Sequence, residues 1–264
     1  MLYKEFVVDG YERIIHIEHE ESGLDAFIAI HNTKLGPAIG GIRCHNYSST
    51  SAQLDDALRL SEGMTFKNAA AGLNHGGAKT TINSNKIKDR SLAYQILGKQ
   101  IDELAGAYIC AGDVGTTVED LFKVKDATDY VAGISLDSSL PTALGTHTGI
   151  EALLKRDGLK IKDQTFTVQG LGKVGKHLVN MLGGKIEAYD PFVNDLPGVT
   201  HIEESELMNG KFYVPCALGG VLNGFSLASL KSEYVCGSAN NMFDSRDDIL
   251  TAHKMGIKYV PDFI

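Results

Sequence analysis

Gly170-Leu171-Gly172-Lys173-Val174-Gly175 stands between Thr165–Gln169, a β-rich run, and His177–Leu182, which continues at helical spacing. Strand, glycine turn and helix in that order constrain this chain more than any other feature, because together they specify one unit of an open α/β sheet. The first glycine permits the tight turn. The second lets backbone approach a pyrophosphate. The third lets the helix pack on the strand, with the phosphates at the helix N-terminus. The next candidate strand, Lys185–Tyr189, leads into Asp190, twenty residues after Gly170. A carboxylate there takes the ribose hydroxyls and repels a 2′-phosphate, so the expected cofactor is NAD rather than NADP. Gly170, Gly172, Lys173, Val174, Gly175 and Asp190 are therefore candidate cofactor-binding residues.

The rest of the chain alternates strand and helix signals. Residues 11–19 and 25–32 alternate apolar and polar and predict strands. Tyr47-Ser48-Ser49-Thr50 reads as a helix start, with the helix running from about Ser51 to Ala71. Ala78–Ile82 reads as a strand, Leu92–Leu104 as a helix and Tyr108–Ala111 as a short buried strand. Ser135, Asp137, Ser138, Ser139 and Pro141 cluster in Gly133–Pro141 and mark a break. Beyond it, Thr142–Lys155 predicts a helix, and Phe212–Val214, Tyr234–Cys236 and Tyr259–Val260 predict further strands. The expected architecture is α/β throughout. An N-terminal α/β substrate-binding and oligomerisation domain spans 1–134, and a C-terminal Rossmann dinucleotide-binding domain spans 135–264.

Composition narrows the partners. The net charge is −8, which disfavours nucleic acid, since phosphate binding needs a basic face. No stretch of about 18 apolar residues is present, so no membrane partner is expected. The first residues, Met1-Leu2-Tyr3-Lys4-Glu5, have no signal-peptide core. The four cysteines form no CxxC pair and read as reduced thiols of a cytoplasmic protein. His16 and His19 are three apart in a strand-like stretch, an odd spacing that puts them on opposite faces, so no metal site is expected there.

Three N-terminal segments carry the remaining chemistry. Gly36-Pro37-Ala38-Ile39-Gly40-Gly41-Ile42-Arg43 contains adjacent glycines whose N–H groups can meet a small anion. Gly63-Met64-Thr65-Phe66-Lys67 places a lysine in an otherwise apolar helix end. Gly76-Gly77-Ala78-Lys79 puts a second lysine two residues after a glycine pair. Two lysines in apolar surroundings suggest one carboxylate clamp and one amine with a depressed pKa. Asp113, in Gly112-Asp113-Val114-Gly115-Thr116, is the complementary acid.

Taken together, GPAIGGIR, DALRLSEGMTFKNAAAGLNHGGAK, GDVGTT, VQGLGKVG, PCALGG and GSANN resemble the glutamate/leucine/phenylalanine/valine dehydrogenase family, most closely its leucine and phenylalanine dehydrogenase branch. The resemblance runs from Ile30-His31-Asn32 to Pro261-Asp262 and implies specific roles. Lys67 looks like the lysine that holds the substrate carboxylate, with Gly40 and Gly41 nearby. Lys79 looks like the catalytic lysine that activates water against an imine, helped by burial beside Lys67. Asp113 looks like the acid that handles the amino-group proton. Thr142 and Asn240 are implied along the nicotinamide end of NAD, and Ala217 and Leu218 beside the adenosine half. Glutamate-specific relatives carry a lysine where this chain has Ile39, and Met64 adds another apolar surface, so both belong to the expected substrate-binding set.

The implied reaction is reversible NAD-dependent oxidative deamination of an apolar L-amino acid to its 2-oxo acid and ammonia. The resemblance also implies an Asn-Ala-Gly-Gly turn and returning helices after Pro261-Asp262, whereas the sequence ends at Ile264. It implies longer segments at Gly133–Pro141 and between Asp190 and Pro215, where a helix and a strand are expected. With one pocket wall absent, a second reading stays open: a non-catalytic regulatory relative that binds NAD or an amino acid. Strands at residues 11–33 lack an obvious cover on both faces, and the resemblance implies association through this domain. A homo-oligomer, dimer or larger, is expected.

Overall fold

The computed structural model describes residues 1–134 and 137–264. Two compact units divide the chain, Met1–Leu136 with Phe263 and Asp137–Asp262 with Ile264. The break expected at Gly133–Pro141, and the boundary placed at 134/135, fall partly on Ser135 and Leu136, which lie outside the described residues.

The first unit is built from β1 (Leu2–Phe6), β2 (Arg13–His19), β3 (Leu24–Asn32), β4 (Ala38–His45), α1 (Thr50–Ala70), β5 (Gly76–Asn83), α2 (Arg90–Asp102), β6 (Tyr108–Gly112) and α3 (Val118–Lys125). Its sheet runs β1-β2-β3-β5-β4-β6, antiparallel up to β5 and parallel across β5, β4 and β6. The alternation read in residues 11–32 appears as β2 and β3, but both faces are covered. Ile14, Phe27 and Ala29 pack with Ala57, Leu54 and Leu58 of α1 on one side. Ile15, Ile17, Ala26, Ile28 and Ile30 pack with Ala93, Leu97 and Ile101 of α2 on the other. The expectation that these strands are bare fails because helices distant in sequence cover them.

The glycine-rich segment around Gly40 is itself a strand. Register then fixes which side chains share a face. Ile39 pairs with Gly77 and Arg43 with Thr81, so Ile39, Gly41 and Arg43 on β4 face the same way as Gly77, Lys79 and Thr81 on β5. That face lies under α1: Thr81 donates to the Gln53 carbonyl at 3.2 Å, and Gln53 Nε2 donates back to the Thr81 carbonyl at 3.2 Å. A Cβ on Gly77 would stand 2.1 Å from the Thr65 backbone nitrogen, so only glycine lets helix and strand approach this closely. Helix α1 starts at Ser49, whose side chain accepts from Ala52 N–H.

The second unit holds α4 (Ser139–Arg156), β7 (Thr165–Gln169), α5 (Lys173–Met181), β8 (Lys185–Tyr189), β9 (Val199–His201), β10 (Phe212–Pro215), α6 (Gly224–Ser229), β11 (Tyr234–Val235), α7 (Arg246–Lys254) and β12 (Lys258–Tyr259). Its strands run β12-β11-β10-β7-β8-β9, all parallel. Counted from β7, this is the doubly wound order 3-2-1-4-5-6. Alternate residues serve opposite faces. Phe166, Val168, Phe212 and Val214 pack with α4 and α5, whereas Tyr213 and Val235 pack with α6 and α7. Between Asp190 and Pro215 the strand is present as β9, but a short 3-10 turn at Glu204–Asn209 stands where a helix was expected.

Candidate active site

Lys79 is 4% exposed, and its Nζ lies 2.6 Å from Asp113 Oδ2. Asp113 follows β6 in a loop that is clamped on several sides. Arg90, the first residue of α2, forks onto Asp120 at 2.8 and 2.7 Å and donates to the Gly115 carbonyl at 2.5 Å. Thr116 donates to the Ile42 carbonyl at 2.6 Å. Gly115 has φ +77°, and a Cβ there would stand 1.9 Å from the Cys44 carbonyl oxygen. Beneath the site, the Tyr108 hydroxyl accepts from Thr80 and donates to the Gly40 carbonyl, both at 3.0 Å, tying β6 to β5 and β4.

Burial is the main reason that Lys79 is held below the usual lysine range; Arg43 adds to it and Asp113 opposes it. For Asp113 burial, the largest single influence, favours the neutral acid. Lys79 and Arg43 outweigh it and hold the carboxyl at about 2. Asp113 is therefore ionised at neutral pH. Arg43, which the sequence did not single out, is a cation that acts on Lys79. Lys67 is half-buried in the last turn of α1 and makes no ion pair among the described residues. Met64 lies one turn earlier on the same side of the helix, and Met64 and Ile39 are both half-buried.

Gly40 and Gly41 are buried in β4, and their lack of a side chain has a packing cause beyond any N–H access. A Cβ on Gly40 would sit 1.6 Å from the Ala78 carbonyl oxygen, and one on Gly41 2.8 Å from Asp113 Cβ. Sequence reasoning did not single out Arg43, Asp56 or Tyr47. Arg43 Nε donates to Asp113 Oδ2 at 3.0 Å, its Nη1 reaches Asp56 at 3.3 Å, and the Tyr47 hydroxyl donates to Asp56 at 2.7 Å. Reading Gly36–Arg43 as a strand would have put Arg43 on the face of Gly41.

His16 does meet acidic groups, though not His19. Ligand atoms of His16, Glu18 and Asp25 lie within 4.8 Å of one another. His16 Nε2 is 2.7 Å from Asp25 Oδ1, and the Lys86 ammonium already occupies Asp25 Oδ2 at 2.7 Å. His19 instead pairs with Ser22 Oγ at 3.0 Å.

In the second unit, Gly170 leaves β7 with φ +96°, and a Cβ there would stand 3.0 Å from Ala217, which follows β10. The turns after β7 and β10 thus meet where the strand order reverses, the place such sheets bind ligands. Gly172 caps α5 without a side-chain acceptor, and nothing lies within 4 Å of where its Cβ would be. Lys173, Val174 and Gly175 therefore begin α5 with donors open to an anion. Gly175 would place a Cβ 2.1 Å from the Gly170 carbonyl oxygen, the contact that seats helix on strand. Asp190 Oδ2 accepts from Leu171 N–H at 2.7 Å, and Oδ1 accepts from Phe192 and Val193 at 2.8 and 3.1 Å. One of the roughly four carboxylate lone-pair sites remains for a ribose hydroxyl. These residues fit a dinucleotide. Thr142 is exposed on α4, Leu218 is exposed beside Ala217, and Asn240 is half-buried with its carbonyl against Gly219.

A mixed α/β unit followed by a doubly wound parallel sheet is the two-domain fold of amino-acid dehydrogenases. The crystal structure of L-tryptophan dehydrogenase from Nostoc punctiforme matches with TM-score 0.75 at 33% identity, covering 96% of this chain and 78% of that one. Leucine dehydrogenase of Bacillus cereus is 43% identical over 279 residues, 96% of this chain and 75% of that enzyme. Phenylalanine dehydrogenase of Lysinibacillus sphaericus is 36% identical over 286 residues, 97% of this chain and 74% of that enzyme. Residues 11–130 match the family described as Glu/Leu/Phe/Val dehydrogenase, dimerisation domain. The chain belongs to the Glu/Leu/Phe/Val dehydrogenase family.

Proposed function

We propose that this chain is an NAD-dependent amino-acid dehydrogenase that interconverts an apolar L-amino acid with its 2-oxo acid and ammonia. The observation that carries the reading is the buried Lys79 amine 2.6 Å from the Asp113 carboxylate, an acid–base pair that a purely structural core has no need to desolvate. When bound, the nicotinamide supplies the acceptor for the hydrogen on the amino-acid Cα. This chain's residues do the rest. Lys67, whose ammonium has no carboxylate partner among the described residues, holds the substrate carboxylate. Lys79 as free amine takes a proton from the water that adds to the imine carbon, and Asp113 accepts and returns the proton at nitrogen. Gly170, Gly172, Lys173, Val174 and Gly175 take the pyrophosphate and Asp190 the ribose, with Ala217 and Leu218 beside the adenosine and Thr142 and Asn240 toward the nicotinamide.

Ile39 and Met64 supply an apolar surface for the substrate side chain, in keeping with relatives named for leucine, phenylalanine and tryptophan. We assign the first unit to substrate binding and assembly and the second to the dinucleotide. The match to a dimerisation domain supports a homo-oligomer, a dimer at least. Edge strand β1, exposed along Leu2–Glu5, is available for such contact. No helix among the described residues is long and apolar enough to cross a membrane. The four cysteines are free thiols, which suits a cytoplasmic setting.

The test is NADH formation across a panel of L-amino acids, with calorimetric titration of NAD alongside. Turnover of leucine, valine, phenylalanine or tryptophan is expected. NAD binding without turnover of any member would replace this reading with the regulatory one.

A further inference from the structure

Arg43 has no role in the reaction as assigned above, yet it touches the centre of the pair. Its Nε lies 3.0 Å from Asp113 Oδ2, the same oxygen that Lys79 reaches at 2.6 Å. Its Nη1 lies 3.3 Å from Asp56 Oδ2, which also accepts the Tyr47 hydroxyl at 2.7 Å. The guanidinium is thus fixed at both ends, one end anchored on α1 and the other aimed at the site. Phenol, carboxylate, guanidinium, carboxylate and ammonium follow one another from Tyr47 to Lys79. Side chains 15% exposed at Arg43 and Asp113 and 5% at Lys79 leave little water to screen these charges.

We propose that Arg43, held by Asp56 and Tyr47, is a positioning residue that fixes the Asp113 carboxylate against Lys79 and, by like charge, favours the loss of the proton from Lys79. The inference rests on the reading of Lys79 and Asp113 as the reacting groups. Two cations converge on one carboxylate oxygen. Asp113 attracts the proton on Lys79 while Arg43 opposes it. The groups that face Lys79 are Asp113 from the loop after β6, Arg43 from β4 and Asp56 from α1. Those that face Arg43 are Lys79 from β5, Asp113, Asp56 and Tyr47, the last from the β4–α1 connection. Removing Arg43 leaves Lys79 with two carboxylates and no opposing cation, so Lys79 keeps its proton to higher pH. It also frees Asp113 to turn.

The test uses the whole chain with NAD and the apolar amino acid it turns over best. kcat and KM are measured from neutral to alkaline pH for wild type, Arg43→Met, Arg43→Lys, Tyr47→Phe and Lys79→Ala, with unfolding temperature recorded for each. Arg43→Met is expected to lose about tenfold to a hundredfold in kcat, with KM little changed, and its rising pH limb moves to higher pH. Arg43→Lys restores the limb, because the charge returns, but not kcat, because an ammonium cannot bridge both carboxylates. Tyr47→Phe shows a smaller loss in the same direction. A wild-type kcat and limb in Arg43→Met, with Lys79→Ala inactive, overturns the proposal. An active Lys79→Ala overturns instead the reading beneath it. Should Arg43→Met fail to fold, a wild-type kcat in both Arg43→Lys and Tyr47→Phe overturns the proposal.

Discussion

Lys79 Nζ meets Asp113 Oδ2 at 2.6 Å, and Lys79 approaches from the middle of β5 while Asp113 approaches from the loop after β6. The two strands are not neighbours, since β4 lies between them. The contact therefore reaches over β4, and it passes above Gly41, where a Cβ would stand 2.8 Å from Asp113 Cβ. Burial sets the chemistry of both groups. Because Lys79 is held below its usual range, its charged form costs the folded state at neutral pH. That cost is relieved as pH rises toward the unfolded lysine value.

Asp113 has the opposite linkage in acid. Its folded pKa of about 2 lies below its ordinary 3.8, so the ionised form stabilises the fold above pH 3.8, and that contribution is lost as pH falls through 2. The full amount is about 2 kcal/mol. The urea-unfolding stability of wild type, minus that of Asp113→Asn, should narrow by that amount between about pH 4 and about pH 2. A pH-independent difference would mean that Asp113 is not held as an anion by Lys79 and Arg43.

Two glycines should respond in opposite ways. Gly77→Ala puts a methyl 2.1 Å from the Thr65 backbone nitrogen and must push α1 off β5, at a cost of about 3 kcal/mol or more. Gly172→Ala meets nothing within 4 Å and should change stability by less than about 1 kcal/mol. Its methyl would instead stand where a pyrophosphate approaches, weakening NAD binding by about tenfold or more. Thermal unfolding and NAD titration of the two variants separate the effects. A Gly172→Ala protein with undiminished NAD affinity would remove that turn from the dinucleotide site.

Much of the second unit was legible because its signals are local. Thr165–Gln169 and Lys185–Tyr189 are strands with the bounds read from the sequence, and the glycine turn lies between strand and helix. The first unit hid more. Gly40 and Gly41 look like loop residues, since the carbonyl of Ala78 and the side chain of Asp113, which exclude a Cβ there, come from elsewhere in the chain. Arg43 stayed hidden as well, because only register reveals its face. Lys79 and Asp113 stood out through their glycine-rich contexts, but their 2.6 Å contact bridges strands that local pattern cannot pair. Helix α3 went unread because it is only eight residues long, although Thr117 and Asp120 form a capping box at its start.

Cofactor choice should follow Asp190. Its carboxylate is fixed by three backbone N–H groups and cannot swing away from a 2′-phosphate. NADPH should bind about tenfold or more weaker than NADH. Asp190→Asn, which removes the charge and keeps one of the two acceptor oxygens those N–H groups use, should narrow the gap. Equal affinity for both reduced cofactors in wild type would displace Asp190 from the ribose.

Side-chain preference should follow Ile39. Facing the same way as Lys79 on the neighbouring strand, it offers a glutamate carboxylate no partner, and desolvating that charge costs several kcal/mol. Apolar side chains gain about 25 cal/mol per Å² buried. kcat/KM for leucine, valine, phenylalanine or tryptophan should exceed that for glutamate, and Ile39→Lys should bring glutamate closer. Glutamate equal to every apolar substrate would contradict this.

The most direct test of the chemistry is the steady-state kinetics of Lys79→Ala, read together with its NAD affinity. Lys79 lies in the first unit and the glycine fingerprint in the second, so the two readouts separate. The variant should bind NAD as wild type does while kcat falls by about 10²–10⁴-fold, the range of a lost general base. Wild-type turnover in a folded Lys79→Ala protein would contradict the assignment of the buried Lys79–Asp113 pair as the reacting groups.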